Sequence, residues 1–319
     1  MQIFRALDQI PASYGPTVIA IGNFDGVHCG HRWIIENARN RARSLGAKCI
    51  AVTFDPHPVR ILRPEVAPLL ITTMPERLRL LAETGLDATV VLPFTEEFSH
   101  TPAESFARDI LRDGLHAVEV HEGDSFRFGY QARAGIRELI QLGEKLGFGV
   151  VAHHARSVRG LSVSSSQIRQ RIAAGDVTAA RVLLGRPFSI LSTPARGRGI
   201  GSEQTVPTIN LAPYQELLPA NGVYITRMKI GEGSDARVFN AATNVGNRPT
   251  FGADSFAVES HLLDFRPMPL TESTPLELTF LKRIREEKRF PSPETLKTQI
   301  LRDVAHATRY FHLMRIMQR

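Results

Sequence analysis

The sequence predicts an α/β protein: an N-terminal doubly wound parallel sheet, then a small antiparallel β-barrel and a C-terminal helix. Three observations carry this. From residue 17 to about 155, short apolar runs alternate with helical patterns, the texture of successive βαβ units. From about 187 onward, Gly, Pro and Thr clusters separate closely spaced short runs, as in a closed antiparallel sheet. A helical pattern returns only at SPETLKTQILRDVAHATRYF. At 319 residues the chain is long enough for two domains, and the change of texture sets the boundary at 185/186, giving 1–185 and 186–319.

The elements follow in order. TVIAIG precedes HRWIIENARNRARSLG; CIAVTF precedes a proline-rich loop and MPERLRLLAETG; ATVVLPF precedes PAESFARDILRDG; AVEVHEG precedes GIRELIQLGEKLG; FGVVAHH closes the series. The strand runs are almost wholly apolar, as burial on both faces of a parallel sheet requires. Ligands of such a sheet collect at the carboxyl ends of its strands. SSSQIRQRIAAGDVTAARVLLGRPF reads as two short helices, and NGVYITRMKI, RVFNAATNV, AVESHLL and PLELTFLKRI as barrel strands.

Composition narrows the class. An apolar fraction of 43% and a charged fraction of 22% are those of a globular protein. Net charge of +7 points to anionic partners, whether nucleic acid, acidic lipid or nucleotide phosphates, and charge alone does not choose among them. The densest basic cluster, KRIREEKR at 282–289, is interleaved with glutamate and reads as a solvated face rather than a nucleic-acid stripe. Cys29 and Cys49 are the only cysteines and lack CxxC spacing, so neither a disulfide framework nor a zinc site is indicated. There is no leader-like N-terminus and no run near the ~18 apolar residues that span a bilayer. A cytoplasmic protein with neither membrane nor nucleic-acid partners is expected; oligomeric state is not readable.

In GNFDGVHCGH, Gly22 and Gly26 permit a tight turn after a strand, and a helix begins at His31 with unsatisfied N–H groups that attract phosphate. His28 and His31, three apart, place both imidazoles on one side, each donating an N–H to phosphate oxygens and gaining charge near neutral pH. Taken alone, the pair is better explained by one capping and one core histidine, and zinc lacks a third ligand. TFDPHP at 53–58, GDSFRFG at 123–129 and VSSSQIR at 163–169 change that, because each falls where a doubly wound sheet presents its ligands.

With these four motifs in this order, the first half resembles the HxGH nucleotidyltransferases, specifically the prokaryotic bifunctional riboflavin kinase/FMN adenylyltransferase family, also called FAD synthetases. The resemblance implies that Asn23, His28 and His31 bind the ATP phosphates, with Gly22, Phe24 and Asp25 shaping the loop. It implies that Ser164, Ser165 and Arg169 grip phosphate at a second helix start, and that Phe126, Arg127, Phe128 and Gly129 lie near the flavin nucleotide. Ser125 departs from the family's Asp or Asn, and Ser166 from its commoner Thr.

The second half resembles the family's six-stranded riboflavin kinase barrel, through GRPF, VPTINL, NGVYIT, TNVGNRPTFG and VESHLLDF. The resemblance implies that Glu259 is the kinase base, that Thr208 and Asn210 serve magnesium and ATP phosphate, and that Asn244 contacts flavin. On an extended segment Thr208 and Asn210 point the same way, and their hard oxygens suit Mg2+. Without the resemblance, an ordinary exposed strand glutamate is the better explanation of Glu259, and a Thr and an Asn serving a turn explain the other two equally well. RGRGIGSEQT at 196–205 reads as a flexible flap that is neither a P-loop nor a dinucleotide fingerprint.

The implied function is phosphorylation of riboflavin to FMN, then transfer of AMP from ATP to FMN, giving FAD and pyrophosphate. The substrates are ATP, riboflavin and FMN. Two rivals are another HxGH transferase acting on pantetheine phosphate or a cytidylyl acceptor, and a non-catalytic flavin- or RNA-binding regulator. GDSFRFG and the attached barrel argue against the first. The second lacks an aromatic platform, with one Trp and five Tyr available.

Overall fold

The computed structural model describes residues 1–195, 208–247, 256–265 and 268–317. It divides into two units, Met1–Ser165 and Ser166–Arg319.

In the first unit, β1 (Gln2–Phe4), β2 (Thr17–Ile21), β3 (Lys48–Asp55), β4 (Ala88–Pro93), β5 (Ala117–Gly123) and β6 (Gly149–His153) form one parallel sheet, ordered β1-β4-β3-β2-β5-β6. The chain winds outward from β2 to β4, then crosses to β5 and β6 on the other side of β2. The topological switch point therefore lies between β2 and β5, where a doubly wound sheet opens its ligand crevice. Helices α1 (Cys29–Leu45), α2 (Met74–Ala82), α3 (Phe106–Gly114) and α4 (Ile136–Leu146) supply the cover. Strand alternation splits the core in two. Ile19, Ile21, Val52 and Val90 pack with Leu111 and Leu139, while Val18, Ala20 and Ala51 pack with Ile35, Ala38, Leu80 and Leu81.

β1 is absent from the sequence-based expectation. Its three residues show no apolar run, and it pairs with β4, more than eighty positions away in sequence. Only that tertiary pairing makes QIF a strand.

The second unit opens with α5 (Ser165–Ala173, which straddles the junction) and α6 (Val177–Leu184). It continues with β7 (Phe188–Ser192), β8 (Thr208–Asn210), β9 (Gly222–Ile230), β10 (Arg237–Asn247), β11 (Phe256–Leu262), β12 (Leu276–Glu286) and α7 (Pro293–Met317). The six strands form a sheet ordered β7-β12-β9-β10-β11-β8. An antiparallel bridge between Pro194 and Leu211 joins its two edges, closing the barrel. Inside it Phe188 stacks on Phe280, and Tyr224 meets Phe280 edge-on. The compact units divide upstream of 185/186, because α6 buries Val177, Ala180, Leu183 and Leu184 and packs against β7 and β12.

α7 packs Ala307 and Phe311 against Ile225, Ala242 and Leu281. Arg285 clamps it, donating from Nε and Nη2 to the buried Asp303 carboxylate at 3.0 and 2.8 Å. The cluster KRIREEKR is thus partly structural: Arg285 holds a helix, and Arg283 donates to the Asn221 carbonyl at 2.6 Å.

Candidate active sites

The loop between β2 and α1 is built by one carboxylate. Asp25 is fully buried and accepts hydrogen bonds from the Ile71 and Thr72 amides at 3.0 Å. The buried Arg77 guanidinium lies 4.0 Å from it. Around this anchor Phe24 (φ 47°), Gly26 (φ 84°) and Val27 (φ 37°) hold left-handed backbone. For the two non-glycine residues this is strain of order 1–3 kcal/mol each. Thr53 Oγ1 donates to the Asn23 carbonyl at 3.2 Å, pinning the loop to β3.

This strained loop presents His28 and His31. His28 caps α1, its Nδ1 accepting from the His31 amide at 3.2 Å, which leaves Nε2 to carry the proton of the neutral ring. The two imidazoles stack at 3.5 Å with planes 14° apart, and Phe24 meets His31 edge-on at 5.1 Å. A Cβ on Gly30 would approach the His28 ring to 3.2 Å, which explains the glycine inside the histidine motif.

One expectation is corrected here. The fold alone does not charge His31 near neutral pH: burial, then the neighbouring His28 and Arg77, push its pKa well below the usual imidazole value. Its Nδ1 is buried without a hydrogen-bond partner. The ring waits as a neutral group beside a cation.

The start of α5 reaches the same loop, since Ser165 Oγ donates to the Asp25 carbonyl at 2.9 Å. Ser164 is half-buried beside it, and Arg169 lies one helical turn along α5. After β5, Arg127–Phe128 pairs with Ala134–Gly135 as a short hairpin. Phe126 and Phe128 stack at 5.4 Å, but Phe128 belongs to the core, whereas Phe126 is half-buried. Arg127 is exposed and folds back onto the Ala132 and Arg133 carbonyls at 3.0 and 3.2 Å.

Sequence reasoning missed two buried polar groups of β5. Glu122 Oε2 accepts from the Gly123 amide at 2.8 Å while Oε1 has no partner, and burial raises its pKa well above the carboxylate range. On the opposite face a chain of bonds links α1 to β5 and β6. Arg41 donates to Glu119 at 2.9 Å, and His121 Nε2 lies 2.9 Å from Glu119 Oε1. His153 Nε2 lies 2.9 Å from His121 Nδ1. Because a carboxylate only accepts, His121 donates to Glu119 from Nε2, and His153 then donates to His121. The available signal was polar residues inside otherwise apolar strand runs.

In the barrel, register assembles the second constellation. Asn210 stands opposite Glu259 across β8 and β11, and Asn244 of β10 stands opposite Glu259 on its other side. Cross-strand partners share a face, so the three side chains form one row. Thr208, two residues before Asn210, stands opposite His261 and shares a 2.9 Å hydrogen bond between Oγ1 and Nδ1. The other face is buried: Thr226, Thr243 and Ser260 form a hydroxyl chain at 2.6 and 2.8 Å. Thr208, Asn210, Asn244 and Glu259 are thus brought together, with His261 as the member sequence reasoning missed. The flap at 196–205 and the end of TNVGNRPTFG lie outside the described residues.

A doubly wound sheet with a histidine-capped loop at its switch point, and a barrel bearing a carboxylate–amide row, are the features of a class of enzymes that act on phosphate groups. The FAD synthetase family model matches residues 10–167, and the riboflavin kinase model matches residues 184–311. The chain belongs to the bifunctional riboflavin kinase/FMN adenylyltransferase family. The Pseudomonas fluorescens member is 36% identical over 96% of this chain and 97% of its own length. The Escherichia coli K12 member is 32% identical over 98% and 99%. A crystal structure described as a macrolide-efflux protein from Streptococcus pneumoniae shares the fold, with TM-score 0.83 at 26% identity, covering 96% of this chain and 98% of that one. The efflux description stays with that protein. Among the described residues of this chain, no helix is long and apolar enough to cross a membrane.

Proposed function

We propose that the chain runs its family's two reactions in series, with the kinase chemistry in 186–319 and the adenylyl transfer in 1–185. The row Asn210–Glu259–Asn244 is the observation that carries the first assignment. A ribityl hydroxyl of riboflavin is not ionised at neutral pH, so a base within reach is useful. Glu259 takes that proton as the oxygen attacks the γ-phosphorus of ATP and ADP departs. Asn244 faces the flavin.

The residues fit a magnesium ion held largely by substrate phosphate. Among the described residues no group of three or more His, Cys, Asp or Glu could hold a metal. Thr208 and Asn210 instead offer neutral hard oxygens on one face, as suits an ion that keeps its waters. When bound there, Mg2+ neutralises phosphate charge.

In the first unit the nucleophile is the phosphate of FMN, already ionised. It attacks the α-phosphorus of ATP and pyrophosphate leaves, so positioning and charge stabilisation suffice. His28 donates from Nε2 and His31 gains a proton as the triphosphate arrives. Asn23, Gly22 and Phe24 shape the cradle; Ser164, Ser165 and Arg169 add donors at the start of α5. Phe126 and Arg127 flank the flavin nucleotide, and Phe128 supports them from the core. Both cysteines are free, which supports a reducing, cytoplasmic setting, and the net positive charge serves nucleotides rather than nucleic acid.

Incubating the protein with riboflavin and MgATP, then separating the flavins by chromatography, tests the reading. FMN rises first and FAD follows. A flat riboflavin trace refutes the kinase assignment; accumulation of FMN without FAD refutes the other.

A further inference from the structure

The bond between Thr208 Oγ1 and His261 Nδ1 carries an inference about the kinase site, and it rests on the reading of Thr208 given above. A threonine hydroxyl has one proton and two lone pairs. If its proton goes to His261 Nδ1, an oxygen lone pair is left for a cation. If His261 instead donates from Nδ1, the hydroxyl proton is left for an anion such as phosphate. The tautomer of His261 therefore decides whether Thr208 keeps both lone pairs clear of His261, or commits one of them to it and turns its proton outward.

We propose that His261 is a positioning residue of the phosphoryl-transfer site, holding its proton on Nε2 and accepting the Thr208 hydroxyl through Nδ1, so that Thr208 offers a lone pair to the nucleotide-bound cation. The register supports this. Thr208 pairs with His261 and Asn210 with Glu259, so both oxygen donors of β8 stand opposite residues of β11, and Thr208 is hydrogen-bonded to the residue it faces. His261 lies two residues from Glu259 on the same face, placing the brace and the proposed base on one strand. A hydroxyl bound to a cation becomes a stronger donor and needs an acceptor, which the imidazole supplies. Outer partners of this kind orient metal-binding groups.

Two measurements test it. In 15N NMR of the wild-type full chain, the His261 signals, assigned by their loss in His261→Asn, are expected to show an unprotonated Nδ1 and a protonated Nε2, with and without MgADP. A protonated Nδ1 in the MgADP complex overturns the proposal without requiring any variant to fold. In riboflavin phosphorylation, His261→Leu is expected to raise the KM for MgATP and the half-saturating Mg2+ concentration by about 10- to 100-fold, the range typical of such partners. His261→Asn, which restores an acceptor where Nδ1 stood, recovers most of the loss. The double variant Thr208→Val/His261→Leu is no worse than Thr208→Val. Multiplying effects would show that His261 acts independently of Thr208 and overturn the inference. Thr208→Val that leaves KM and Mg2+ dependence untouched would instead sink the reading of Thr208 itself.

Discussion

Glu259 and Asn210 stand directly opposite one another across β8 and β11, forty-nine residues apart in sequence and on one face of the barrel. If that carboxylate is the kinase base, Glu259→Gln keeps shape and hydrogen bonding while removing proton acceptance. Riboflavin phosphorylation should fall by about 10²-fold or more, read as FMN formed per unit time. FAD formation from supplied FMN should persist.

Asp25 is the keystone of the histidine loop. Asp25→Ala removes the acceptor of the Ile71 and Thr72 amides and leaves Arg77 a buried charge without its carboxylate. Breaking a buried pair costs about 3–5 kcal/mol. Denaturant unfolding should show a loss of that order, and FAD formation should fall even at temperatures where the variant stays folded.

The depressed pKa of His31 predicts a pH signature. A triphosphate favours the charged imidazole, so its binding takes up a proton. Affinity for ATP in adenylyl transfer should strengthen as pH falls from 8 towards 6, relative to a His31→Gln variant that lacks the group. Identical pH profiles of KM in the two proteins would remove His31 from the phosphate cradle.

Buried groups of β5 and β6 give opposite stability signs. His121 and His153 have pKa values lowered chiefly by burial, so the folded state binds fewer protons than the unfolded one. Their contribution is intact above the unfolded imidazole pKa near 6.5 and is lost as pH falls below it. Glu122 has a raised pKa, so its contribution is intact below the carboxylate range near 4.5 and is lost as pH rises. Glu122→Gln should therefore raise Tm at pH 8 and leave it nearly unchanged at pH 4. A variant with a lowered Tm at pH 8 would mean that the carboxylate has a partner worth more than its burial costs.

The first-half strands were legible because burial on both faces forces apolar runs, and the loops were legible because four motifs fall at successive strand ends. β1 was not, since QIF becomes a strand only by pairing with β4. The face shared by Thr208 and Asn210 followed from strand periodicity. Their partners His261 and Glu259 required the register between β8 and β11, which no local pattern encodes. Asp25 was readable as a loop residue, but not as the acceptor that ties the loop to Ile71 and Thr72. The charge state of His31 was misread because spacing reveals neighbours along the helix and says nothing of burial or of Arg77.

The two proposed sites are separable and act in series. The most direct test mixes two proteins, His31→Ala and Glu259→Gln, with riboflavin and MgATP, and follows FMN and FAD by chromatography. His31→Ala alone is expected to stop at FMN, Glu259→Gln alone to leave riboflavin unchanged yet convert supplied FMN, and the mixture to make FAD. Loss of both reactions in either single variant would contradict it.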